Sequence, residues 1–310
     1  MDFGVHLPQI GRDQSSFSLA DLIEYAETAE QLGYQYLCAN DHLLFSRPWI
    51  DGPTALAALI SDTSIPLATT ISLPVVRGPV RLAKTLGAID LPSDGRLIAG
   101  VGPGSSEQDY EAVGIPFEER WPRFDESIRT LRALWDPEQT FDGEFYSTED
   151  IVLKPLPAQE DGLPIWIGSW GSEAGLRRVA RLGDGWLASG YNTTPEQFEA
   201  GRLLLEKALS EEGKNPHEFP NAIATMFFHV TEEDDEGMQV ISDILAPMLN
   251  RTPDELVESL PIGSPETCVD TLSAYRAAGV ERVYLWPIVD EIDQLQTLRD
   301  QVLQPLEQRA

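Results

Sequence analysis

The sequence predicts an α/β fold of the TIM type, a (β/α)8 barrel with insertions. Three observations predict it. Eight short runs rich in β-branched and aromatic residues alternate with longer amphipathic runs. The alternation fills most of the 310 residues, about the length of one such barrel. No linker of Pro, Ser or Gly divides the chain, and no short repeat recurs. Residues 1–310 are therefore read as one domain. A doubly wound sheet is the competing architecture.

The elements follow in order. "FGVHLP" reads as a first strand. "LADLIEYAETAEQLG" has apolar residues at helical spacing, with Gly33 as its stop. "YQYLCAN" is a second strand, and residues 52–62 a short helix. "IPLATTISLP" is a third strand. "PVRLAKTLGAIDLPS" is a helix with Pro79 near its start, and "RLIAGVG" a fourth strand. The next helix is expected from about Glu118 through "RFDESIRTLRALW". Residues 136–164 break the rhythm with a turn signal, two short β-like pieces and several prolines, and read as an excursion. "PIWIGS", "DGWLAS" and "NAIATMFFHV" continue as fifth, sixth and seventh strands. An acidic helical stretch follows, then "SPETCVDTLSAYRAAG" as a late helix, "ERVYLWPI" as an eighth strand, and a last helix.

Composition excludes several function classes. The formal net charge is −29, from 51 acidic and 22 basic side chains. Long-range repulsion disfavours nucleic acid and anionic membrane as partners. Lysine is confined to Lys84, Lys154, Lys207 and Lys214. Such an acid-rich surface suits high salt, which screens self-repulsion. Cys38 and Cys268 are too few for a disulfide framework and read as buried thiols. No apolar run is long enough for a membrane span, and "MDFGVHLPQIG" lacks the marks of a signal peptide, so the expected location is cytoplasmic. His6, His42, His217 and His229 show no metal-binding spacing, and no GxSxG elbow occurs.

The stretch "RLIAGVGPGSSEQDYEAVG" resembles a dinucleotide-binding loop, with Gly100, Gly102 and Gly104 after an apolar run. That fingerprint needs a helix opening directly from the loop, Gly or Ala at the third small position, and an acid closing the next strand. Here Ser105 holds the third position and the next helix is expected too late. A plain tight turn is one alternative. A barrel loop whose backbone approaches a ligand closely is the preferred one, because glycine has no Cβ.

In a barrel the chemistry sits at the C-terminal strand ends. The second strand ends "CANDHLLF", placing Asp41 and His42 at that face. They form either a hydrogen-bonded turn or a general acid–base pair. His6 ends the first strand. The fifth strand ends "IGSWGS", where Gly168, Ser169, Gly171 and Ser172 lead into a helix. Its free N–H groups suit a phosphate, and Ser172 equally suits a plain N-cap. Trp49, Trp170 and Trp286 are candidates for an apolar pocket, with the segment at about 226–262 as the variable substrate side.

Together "FGVHLPQ", "ANDHL", "RGPVRLAKTLGAIDLPSDGRLIAGVGPGSSEQDYEAVGIPFEERWPRFDESIRTLRALW", "TFDGEFY", "PIWIGSWG" and "RLGDGW" resemble the bacterial-luciferase-like monooxygenase family, closest to its branch using the deazaflavin coenzyme F420. The match covers most of residues 1–190 and fades after 195. The resemblance implies an oxidoreductase barrel, often dimeric, with the coenzyme across its mouth. It implies His42 beside the reacting ring carbon and Asp41 on the coenzyme. It implies a non-proline cis peptide at Thr70–Ile71 behind the ring. Pro103, Gly104 and Gln108 match positions near the ring and ribityl chain, and Gly168 to Ser172 the phosphate turn. The sequence departs where sugar-phosphate dehydrogenases of the branch carry Glu, here Ser105, and where they carry Trp, here Ser46. Their phosphate-holding lysines have no counterpart. The implied function is F420-dependent hydride transfer to or from a small organic substrate. An FMN-dependent monooxygenase supplied by a separate flavin reductase is the alternative, and a flavin-binding homologue without turnover the non-enzyme one.

Overall fold

Eight parallel strands close on one another in the computed structural model, which describes residues 1–11, 17–160 and 162–309. The elements are β1 (Asp2–His6), α1 (Leu19–Gln31), β2 (Tyr36–Ala39), α2 (Gly52–Ala58), β3 (Leu67–Ser72), α3 (Pro74–Arg77), α4 (Pro79–Asp90), β4 (Leu97–Val101), α5 (Glu107–Ala112), α6 (Arg120–Trp135), β5 (Ile165–Gly168), α7 (Glu173–Leu182), β6 (Gly185–Ser189), α8 (Pro195–Glu211) and β7 (Asn221–Val230). Short helical pieces then lead to β8 (Ile262–Gly263), the helix Pro265–Ala277, β9 (Arg282–Pro287) and a final helical run from Glu291. The strands pair in chain order from β1 to β7, and β9 closes the ring between β7 and β1. The two-residue β8 only extends the end of β7, at Val230↔Gly263. This is the expected TIM-type barrel, with every one of its eight barrel strands on an expected run.

Two packing layers follow from strand alternation. Cys38, Ala68, Trp166, Leu187, Ala222, Ala224 and Tyr284 form one cluster drawn only from strands, which fills the barrel. The other strand face joins the helices in the main core; Trp186, for example, stacks on Phe198 of α8 at 4.5 Å. Cys38 and Cys268 are buried and unpaired, as expected, and burial pushes the Cys268 thiol up to about 12. The excursion at 136–164 is tied down by Glu126 of α6, which accepts N–H bonds from Glu144 and Phe145. No helix among the described residues is long and apolar enough to cross a membrane.

One expectation fails. The helix after the glycine loop does not begin near Glu118. α5 opens at Glu107, directly from the loop, because the Ser106 hydroxyl caps it by accepting the Asp109 N–H at 3.2 Å. The absence of such a helix was one ground for rejecting a dinucleotide fingerprint. The ground that holds is the closed barrel, in which the loop follows β4 and the next strand is β5, paired in parallel beside it.

Candidate active site

β1 ends at His6, whose fully buried ring lies flat on Trp286, centroids 4.2 Å apart. The Thr225 N–H donates to His6 Nε2 at 3.2 Å. That bond requires a bare Nε2, so the ring proton sits on Nδ1. Nδ1 has no partner. Burial lowers the His6 pKa to about 3, and the ring is neutral.

β2 delivers Asp41 and His42. Asp41 is 3% exposed. Its carboxylate takes both prongs of Arg77, Nε and Nη2 each at 2.6 Å, and the Leu73 N–H at 3.2 Å. Arg77 also binds Asp51, the N-cap of α2. Asp41 thus clamps the bend between β3 and α4 to the end of β2. His42 points elsewhere. Its ring packs edge-on to Trp49 at 4.8 Å and against Phe45 at 5.2 Å, with the side chain 26% exposed. His42 Nδ1 lies 3.5 Å from the buried Asp109 Oδ2. That is longer than a normal hydrogen bond, and neither atom has another partner. The other Asp109 oxygen accepts the Leu44 N–H at 2.8 Å, so the carboxylate is fixed. Nδ1 facing Asp109 leaves Nε2 on the opposite edge of the ring.

β3 carries the cis peptide Thr70–Ile71, at the expected bond, and its register against β4 shifts between Thr69 and Ser72. Ile71 explains the glycine loop. A Cβ on Gly102 would stand 2.2 Å from Ile71 Cδ1, and one on Gly168 3.3 Å from Ile71 Cγ2. The two glycines leave room for the Ile71 side chain to span β4 and β5. Pro103 is buried, and its carbonyl accepts from the Tyr110 hydroxyl. Gly104 is half-buried, and Ser105 and Gln108 are exposed on the rim.

β5 ends at Gly168. The Ser169 carbonyl accepts from Trp186 Nε1–H at 2.9 Å, and the Ser172 hydroxyl caps α7 through the Gly175 N–H at 3.2 Å. Trp170 is 55% exposed and stands apart from the other aromatics. Trp49 and Trp286 do meet, 5.7 Å apart, and Phe227 stacks on Trp286 at 5.0 Å. A cavity of about 400 Å³ opens beside Trp286 at this end of the barrel. A second cavity, about 490 Å³, lies between α1 and Asp290–Asp293 and touches none of the expected site residues.

Sequence reasoning missed Arg77 and Asp109. Arg77 pairs across 36 residues and leaves no local signal. Asp109 had one: Ser106-x-x-Asp109 is a helix-start pattern.

A sequence profile described as luciferase-like monooxygenase matches residues 1–282. The chain belongs to the luciferase-like monooxygenase family. The profile runs well past residue 190, where the residue-level resemblance fades. The F420-dependent hydroxymycolic acid dehydrogenase of Mycobacterium tuberculosis is 31% identical over 179 residues, 54% of this chain and 48% of that protein. The monooxygenase RslO1 of Streptomyces bottropensis superimposes with a TM-score of 0.84 at 23% identity, over 98% of this chain and 99% of that one. An F420-dependent secondary alcohol dehydrogenase, in complex with an F420–acetone adduct, superimposes at 0.82 with 18% identity over 98% of each chain. Both structural likenesses speak for the fold. The chain spans about half the length of the curated relatives it matches.

Proposed function

We propose that this luciferase-like chain is an F420-dependent oxidoreductase that transfers a hydride between the deazaflavin and a small organic substrate. The observation that carries the proposal is His42 at the barrel mouth, with Nδ1 turned to a fixed, buried carboxylate and Nε2 on the open edge. A polar planar ligand fits the same mouth, because His6 Nδ1, Ser72 Oγ and Trp49 Nε1 are buried there without partners. The F420-dependent relative favours the deazaflavin.

When bound, the deazaflavin supplies hydride chemistry, since carbon replaces the reactive flavin nitrogen. The chain supplies placement and the proton. His42 exchanges a proton through Nε2 with the substrate oxygen or nitrogen, and Asp109 orients the ring. Asp41, through Arg77 and Leu73, holds the bend that presents Thr70 and Ile71 as the wall behind the coenzyme. Pro103, Gly104 and Gln108 border the ring and ribityl chain. Gly168, Ser169, Gly171 and Ser172 receive phosphate at the start of α7. The family description names monooxygenases, so FMN-dependent oxygenation, fed by a separate reductase, is the second reading.

Titration of the purified chain with F420 and with FMN tests the coenzyme. F420 is expected to bind more tightly; tight FMN binding without F420 binding reverses the ranking. His42→Ala is then expected to lower turnover of the best substrate, drawn from a panel of alcohols and carbonyl compounds, by about 100-fold or more. F420 affinity should persist. Asp109→Asn should lower turnover less, also without loss of coenzyme. Near-normal turnover in His42→Ala would remove the proton role.

A further inference from the structure

The geometry points to an apolar acid as the substrate class, its hydrocarbon part seated in the cavity beside Trp286 and its carboxylate held by Arg47. This rests on the reading of the barrel mouth as the reaction site. The cavity, about 400 Å³, is at the small end of ligand pockets (about 300–1,000 Å³). Phe227, Trp286, Ile244, Met248 and Ile288 give it an apolar side, beside the polar Ser46, Arg47 and Glu291. Trp286 connects it to the chemistry, because that ring touches His6 on one face and meets Trp49, which in turn meets His42.

Arg47 is the one cation on this lining among the described residues. It has no ion-pair or hydrogen-bond partner among them, whereas Arg77, Arg132 and Arg178 are each paired with carboxylates. Arg81, Arg96, Arg120, Arg129, Arg276 and Arg282 also lack a carboxylate among the described residues, but Arg47 alone of these lies on this lining. Glu291, the one acid on the lining, also borders the second cavity and lies where the two meet.

The backbone that carries Arg47 is fixed in place. The Gly11 N–H donates to the Pro48 carbonyl at 2.8 Å, and the Ile50 N–H to the Gln9 carbonyl at 3.0 Å. Ile10 and Trp49 form an antiparallel bridge between them. A planar guanidinium on a rigid strap beside an apolar cavity matches a carboxylate with two parallel hydrogen bonds. A lone arginine balances one negative charge, which favours a carboxylate over a phosphate ester.

Calorimetric titration with 2-naphthoate, its methyl ester and 2-naphthyl phosphate tests the inference. Wild type is expected to bind the acid about tenfold more tightly than the ester. Arg47→Gln should bring the acid down to the ester and leave the ester unchanged. Arg47→Lys should keep part of the preference. Met248→Trp, which fills the cavity, should weaken acid and ester alike. Three results would each overturn the inference: acid and ester bound equally, acid affinity unchanged in Arg47→Gln, or the phosphate ester bound most tightly. Absence of naphthoate binding to wild type would do the same. F420 titration runs beside these measurements. Failure of F420 with the acid preference intact removes the coenzyme reading alone; F420 binding without an acid preference removes this inference alone.

Discussion

His6 is a base that the fold keeps neutral. Burial lowers its pKa from the ordinary 6.5 to about 3, while Thr225 holds the unprotonated Nε2. Between those values the unfolded chain carries a proton on this ring and the folded chain does not. Stability is therefore lost as pH falls through that window. The amount at stake is on the order of a few kcal/mol, at about 1.4 kcal/mol for each pKa unit. In His6→Gln the amide oxygen can still accept the Thr225 N–H, and nothing titrates. The variant should be less stable than wild type at pH 7.5, and the gap should narrow toward pH 4. Urea unfolding at four pH values measures it; a gap that stays constant would show that His6 is not held neutral. At this same scale the sequence singled out His42 as a candidate, since an Asp-His pair at a strand end is local, and left it open between a turn and an acid–base pair. It was silent on Arg77. It offered Asp109 as part of a helix start after Ser106 but not as the partner of His42, because a carboxylate's partner is decided by tertiary packing and not by its neighbours in the chain.

The end of β4 and the loop after it set two glycines, Gly100 and Gly102, against two different neighbours, and substitutions there should separate stability from binding. A Cβ on Gly100 would stand 2.0 Å from the Thr69 carbonyl oxygen, which is backbone of the adjacent strand and cannot step aside. Gly100→Ala should cost about 3 kcal/mol or more. The Cβ of Gly102→Ala instead meets the tip of Ile71, which can turn. That variant should lose about 1 kcal/mol, yet displace the wall behind the coenzyme and weaken coenzyme binding about tenfold. Denaturant unfolding and coenzyme titration of both variants decide it; wild-type affinity in Gly102→Ala would mean that Ile71 forms no such wall. The barrel strands were legible because both faces are covered, so β7, for instance, is buried through all ten residues and is apolar at seven of them, with Asn221, Thr225 and His229 between. α5 was not legible. Its six residues, EQDYEA, are too few to show a helical period and carry three acids, and only the Ser106 cap announces them. α3, four residues between Leu73 and Gly78, was hidden for the same reason and holds the arginine that pairs with Asp41.

Charge belongs to the molecule as a whole. Some acids are matched locally: Asp125 takes both Arg178 and Arg181, and Arg177 takes Glu173 and Glu211. The net charge of −29 means that most are not. The unmatched carboxylates repel one another across the surface, and compaction on folding brings them closer. Added salt shortens the reach of that repulsion from about 10 Å at 0.1 M to about 3 Å at 1 M. The same screening weakens the arginine pairs, but exposed pairs contribute little each, roughly 0–1 kcal/mol, while the repulsion acts among all the excess acids. Repulsion should therefore dominate, and the melting temperature should rise by several degrees between 20 mM and 1 M chloride, equally for sodium and potassium. A flat response would mean that the acidic side chains are already spaced widely enough for water alone to screen them. The same field acts on ligands. On the proposed function, a phosphate-bearing coenzyme or an organic acid would approach this mouth against the net charge, so its association rate should rise with chloride, opposite to the fall seen when charges attract. Stopped-flow association at the two salt concentrations measures this term. Rates that fall with salt would show that Arg47 and the start of α7 outweigh the surrounding acids at the distance where encounter is decided.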